Sequence, residues 1–106
     1  MHDAERESKI VEIARDIQAK LDALYRSVGN PEAGSPLDQA GLRDGLNIVE
    51  DYVSHGEVGL AVEHLLYMIT EPDIGLSQQD IEFLRGLCEL FGIEKKRWCA
   101  LRKFDV

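Results

Sequence analysis

The stretch Glu57-Val58-Gly59-Leu60-Ala61-Val62-Glu63-His64-Leu65-Leu66-Tyr67-Met68-Ile69-Thr70 decides the fold. Val58, Ala61, Val62, Leu65 and Ile69 recur at intervals of three and four, which places them on one side of a helix and predicts that this side is buried. The other side carries Leu60, Glu63, His64, Tyr67 and, just beyond, Glu71, so two large apolar groups stand among acids on the outward face. Glu71-Pro72-Asp73 is expected to stop the helix, because proline disfavours helical geometry in the residue before it.

The same spacing recurs on both sides of this segment. Leu42, Leu46, Val49 and Val53 form a stripe that predicts a preceding helix ending near Ser54-His55-Gly56, with Asp44 and Asp51 on its wet face. Further back, Ile10, Ile13, Ala14, Ile17, Leu21, Leu24, Tyr25 and Val28 mark a long amphipathic helix over residues 8–28. The stretch 29–36, Gly-Asn-Pro-Glu-Ala-Gly-Ser-Pro, ends that helix and predicts a flexible connection that leaves it loosely tethered. Downstream, Ser77-Gln78-Gln79-Asp80 is a capping sequence ahead of the stripe Ile81, Leu84, Leu87, Cys88 and Phe91, and Gly92 closes that helix. A fifth, short helix is expected from Glu94 to about Lys103, with Trp98 and Leu101 facing inward. No long period-two alternation is present, so the 106 residues are expected to form one domain, an all-α bundle of four to five helices.

Twenty acidic residues oppose 12 basic ones, for a net charge of −8. Their distribution is uneven. Residues 36–75 hold Asp38, Asp44, Glu50, Asp51, Glu57, Glu63, Glu71 and Asp73 against Arg43 alone, whereas residues 94–106 hold five bases and two acids. Such a balance opposes binding to a phosphate backbone or an anionic membrane and favours a basic partner. An aromatic anchor rimmed by acids suits a protein interface. The expected contact set is therefore Asp44, Asp51, Glu57, Leu60, Glu63, His64, Tyr67 and Glu71.

Chemistry is not signalled. No HExxH, glycine-rich phosphate loop or nucleophile–base constellation occurs, and His55-Gly56-Glu57 lacks the PCxxC that a zinc deaminase requires. Neither an enzyme nor a cofactor or metal site is expected. Cys88 and Cys99 lie 11 residues apart without a CxxC, which fits a reducing compartment, and the charged first residues carry no apolar leader, so a cytoplasmic location is expected. Cys88, on an apolar stripe, reads as a small buried hydrophobe.

Three pieces carry a family resemblance: Gly56-Glu57-Val58-Gly59-Leu60-Ala61-Val62-Glu63-His64-Leu65, then Glu71-Pro72-Asp73-Ile74-Gly75-Leu76-Ser77, then Gly92-Ile93 to Trp98 and Leu101. Over roughly residues 46–101 the chain resembles the MafI-type immunity proteins, small helical bacterial proteins that neutralise the C-terminal domain of a secreted polymorphic or contact-dependent inhibition toxin. The resemblance implies a non-enzymatic inhibitor whose partner is a cognate toxin domain. The acidic surface adds that this partner is a basic nuclease, with carboxylates standing in for phosphates. An acidic helical adaptor for another cytoplasmic protein is the alternative. The matching glycines, Ala61, Leu65, Ser77 and Trp98 have ordinary turn, packing and capping roles, so the contacts must come from the charge pattern.

Overall fold

The computed structural model describes residues 3–104. Four helices form within them: α1 (Asp3–Val28), α2 (Gly45–Ser54), α3 (Val58–Thr70) and α4 (Gln78–Leu90). The expected all-α bundle is the fold found. α3 is the central helix and packs against α1, α2 and α4. It buries Ala61, Val62, Leu65, Leu66, Met68 and Ile69, a stripe wider than the spacing predicted because it is enclosed from several sides, while Val58 at its exposed start is only half-buried. α1 adds Ile10, Ile13, Ala14, Ile17 and Leu21 to the same core; Leu24 and Val28, expected on that stripe, lie exposed at its far end.

α1 is not loosely tethered. Gln18, buried to 8% exposure, donates through Nε2 to the carbonyls of Leu42 (3.1 Å) and Arg43 (3.2 Å) and to Asp22 Oδ1 (3.1 Å), while its Oε1 accepts the Leu46 N–H at 2.9 Å. Asp44, the residue before α2, makes no side-chain cap, so a side chain from another helix satisfies a first-turn amide that has no partner within its own helix. Tyr25 adds a second tie by donating its hydroxyl to the Leu37 carbonyl at 2.8 Å, and the Arg43 guanidinium lies 3.9 Å from the Tyr25 ring centre. Three hydrogen bonds between one polar residue and Leu42, Arg43 and Leu46 explain why a helix joined by a glycine–proline loop is nevertheless fixed.

The helix ends share a device. After α2, α3 and α4 a residue in the left-handed region carries paired bonds back to the last turn: Gly56 (φ 75°), Asp73 (φ 59°) and Gly92 (φ 67°). The longer bonds run from Glu57 N–H to Tyr52 O (2.8 Å), Ile74 N–H to Ile69 O (2.8 Å) and Ile93 N–H to Cys88 O (2.9 Å). This is the Schellman arrangement, which satisfies carbonyls that the helix leaves without partners. The stop at Pro72 therefore differs from expectation, since Glu71 keeps helical geometry (φ −61°, ψ −51°) and the chain turns two residues later at Asp73. A non-glycine residue there costs on the order of 1 kcal/mol. Arg102 holds it, donating from Nε to Asp73 Oδ1 at 2.8 Å and from Nη2 to the Asp73 carbonyl at 2.6 Å.

The expected fifth helix is absent. Only a single 3-10 turn, Lys95–Arg97, forms, after which the chain extends as a strap. Leu76 donates its N–H to the Arg102 carbonyl (2.9 Å) and accepts from the Phe104 N–H (3.0 Å), so strand-like bonds to a distant segment replace helical ones. Three adjacent cations in the turn repel one another, and two of them reach acids, Lys96 to Glu94 and Arg97 to Glu63. Gly75 is required by this strap, since a Cβ there would stand 2.9 Å from the Phe104 Cα. Trp98 still faces inward as expected, and Leu101 is half-buried.

Gly86 lies exposed within α4 with open space around it. Gly86→Ala is expected to raise stability by roughly 0.5–1 kcal/mol, because it restricts the unfolded chain without meeting any neighbour. A lowered denaturation midpoint would contradict the open setting of this position.

Candidate functional site

The residues expected to meet a partner separate into an open and a tied group. Leu60 on α3 and Glu57 and Glu71 at its two ends are exposed, as are Asp44 before α2 and Asp51 on it. Asp51 faces His55, whose Nδ1 lies 3.5 Å from its carboxylate. Glu63 is half-buried and paired with Arg97 at 3.1 Å. His64 and Tyr67 are turned to internal work on the loop before α2. His64 Nε2 lies 2.9 Å from the Gly41 carbonyl, which fixes it as the protonated nitrogen, and the Tyr67 hydroxyl donates to the Ala40 carbonyl at 2.8 Å. Their rings are 5.6 Å apart. Burial raises the Tyr67 pKa above the usual phenol range, with Glu71 adding to the effect, so the ring stays a neutral donor.

The N-terminal half of the α3 face opens on the principal concavity, a groove of about 570 Å³. Its apolar lining is Val58, Leu60, Phe91 and Ile93; its charged lining is Asp3, Glu7, Glu57 and Glu63 with Arg6. Leu60 is 42% and Phe91 38% exposed. Phe91 was expected on the buried stripe of α4, but it lies past the last helical residue, Leu90, where the chain turns at Gly92 and the core has ended. Glu7 was not among the expected contacts, because the apolar spacing begins only at Ile10 and leaves the two preceding turns of α1 unread. The signal available for both was the acid-rich start of α1 and an aromatic next to a helix-ending glycine.

The electrostatics follow from which acids have partners. In residues 36–75, Glu63 and Asp73 are paired with Arg97 and Arg102 of the basic C-terminal segment. Asp38 accepts the Gly34 N–H at 2.8 Å. Asp44, Glu50, Glu57 and Glu71 are exposed, and no ion pair engages them among the described residues. The basic C-terminal run is thus partly spent on internal pairing, while an acidic surface remains.

No group of three His, Cys, Asp or Glu side chains among the described residues is arranged to hold a metal ion. Cys88 is buried and its thiol is pushed up to about 11, first by burial and then by Glu89, whereas Cys99 is exposed. At about pH 8 a thiol reagent is expected to modify Cys99 rapidly and Cys88 only as fast as the fold opens, since the thiolate is the reacting form. Equal rates for the two would contradict the burial of Cys88. No helix among the described residues is long and apolar enough to cross a membrane. No protein-family model matches the chain, and neither a curated protein nor a solved structure does.

Proposed function

We propose that the chain is an immunity protein that binds the C-terminal domain of a cognate bacterial toxin, a basic nuclease, in the cytoplasm and covers its active site or substrate groove. The observation that carries this reading is the set of exposed acids without ion pairs, Asp44, Glu50, Glu57 and Glu71, on a small all-α domain whose Arg97 and Arg102 are turned toward other acids. A surface of this kind attracts a cationic protein over a Debye length and repels the nucleic acid that the nuclease would otherwise hold. The resemblance to MafI-type immunity proteins supplies the class of partner. The proposed inhibition involves no reaction, cofactor or metal.

The test is a search for a toxin gene beside this reading frame and co-expression with its product, followed by binding kinetics; absence of such a gene counts against the proposal. Cells are expected to survive the toxin only when this chain is present. Raising salt from low to physiological strength is expected to slow association several-fold with a smaller change in dissociation, because screening weakens long-range attraction more than docked contacts. Glu57→Lys combined with Glu71→Lys should slow association in the same way without unfolding the chain. Absence of protection, or association indifferent to both salt and charge reversal, overturns the proposal.

A further inference from the structure

We infer that the groove between the first turns of α1 and α3 and the end of α4 seats a basic segment of the partner that carries a large apolar side chain, such as an arginine next to a phenylalanine or leucine. The inference rests on the proposed toxin-binding reading and assigns its anchor point. The floor is apolar where the surrounding surface is charged: Leu60 and Phe91 together expose ring and branched carbon beside Val58 and Ile93. Phe91 lies against Gly59, where a Cβ would stand at an ordinary contact distance of 3.6 Å from its Cδ1, so the ring borders the first turn of α3. A concavity of about 570 Å³ lies in the range that buries one substantial apolar group.

The rim chooses the charge. Two of its four acids already bind guanidinium groups of this chain, Asp3 to Arg6 and Glu63 to Arg97, each at 3.1 Å. Both pairs show that the rim accepts planar cations in side-chain geometry. Glu7 and Glu57 have no ion pair among the described residues and are left for an incoming base. Glu57 stands at the start of α3, where its full negative charge exceeds the fractional positive charge of the helix end. A cation with an adjoining apolar side chain therefore satisfies rim and floor together, whereas an anionic or purely apolar ligand meets only one of them.

The experiment titrates the full-length, 15N-labelled chain with three capped pentapeptides, Gly-Arg-Phe-Arg-Gly, Gly-Arg-Gly-Arg-Gly and Gly-Glu-Phe-Glu-Gly, following backbone amides by NMR. The first is expected to give saturable shifts confined to Glu7, Glu57–Leu60 and Phe91–Ile93. Affinity should fall at least about five-fold for the peptide without phenylalanine and vanish for the acidic one, as expected for a small anchored contact. Leu60→Ser and Glu57→Lys should each weaken the first peptide at least about five-fold while the remaining spectrum stays that of the folded chain. Asp16→Lys, at an exposed acid outside both the groove and the free acids of residues 36–75, should not. Equal binding of the two arginine peptides, shifts centred on Asp44 and Glu71, or no saturable binding overturns the inference, as do concentration-dependent shifts at the same amides without peptide, which assign the groove to a second copy of this chain. Toxin neutralisation without peptide seating removes the groove and leaves the immunity reading standing. Peptide seating without neutralisation does the reverse.

Discussion

Trp98→Ala is expected to lower stability by about 3–5 kcal/mol, the cost of removing a large buried aromatic and leaving a cavity. The indole is 9% exposed, donates from Nε1 to the Ile93 carbonyl at 3.2 Å, and lies with its ring 5.7 Å from the Arg85 guanidinium. It joins the segment after α4 to the common core. Trp98→Phe separates the contributions, keeping most of the apolar area while losing the N–H bond, and should cost no more than about half as much. Denaturant unfolding read by helix content decides the matter. An alanine variant as stable as the parent would show that the ring adds nothing to the core.

The second large effect is expected at a polar residue. Gln18→Ala removes the acceptor of the Leu46 N–H and the donor to the Leu42 and Arg43 carbonyls, leaving these groups without their partner beside a fully buried Leu42. A loss of about 2–4 kcal/mol is expected, since each buried group deprived of its partner costs about 1–3 kcal/mol and water reaches some of them. Gln18→Glu is the sharper variant. It keeps an acceptor for Leu46 but sets a carboxylate against two carbonyls and Asp22, which raises its folded pKa above the unfolded value. Relative to the parent, the variant's stability should therefore be best in acid and fall as pH rises from the unfolded glutamate range through the raised folded value. Accelerated hydrogen exchange at the Leu46 amide would place the damage at this clamp. An alanine variant with parental stability and parental exchange at Leu46 would remove the clamp from the account.

These two residues mark how far the sequence could be read. Trp98 was assigned to the core correctly although the helix around it was not, because a large aromatic has few places to go in a small acidic domain, whereas the choice between helix and strap depends on the backbone groups of Leu76. Gln18 was invisible for the opposite reason. Periodicity sorts residues by polarity, and nothing local distinguishes a glutamine that clamps a loop 24 to 28 positions away from one that meets water. The stripes of α1, α3 and α4, the Ser77 cap and the Gly92 turn are local and were legible. The expected contact face was legible as a charge pattern but not as a shape. His64 and Tyr67 share a helical face with Leu60, yet the loop carbonyls of Gly41 and Ala40 claim them, while Glu7 comes to the groove from α1 and Phe91 from the turn after α4.

The grip of Arg102 on Asp73 also makes the last third of the chain a closed ring. Residues 73 and 102 lie 29 positions apart, and the chain between them contains all of α4 and the turn bearing Trp98. Closing such a ring costs entropy that grows only with the logarithm of its length, so one clasp restrains the whole unit at little more cost than a shorter loop would impose. α4 and the strap are therefore expected to exchange their amides as one unit rather than as a fraying end, which native-state hydrogen exchange would show. Phe91 and Ile93 lie within that ring while Glu7, Glu57 and Leu60 do not, so the ring supplies one wall of the groove although neither residue of the clasp lines it.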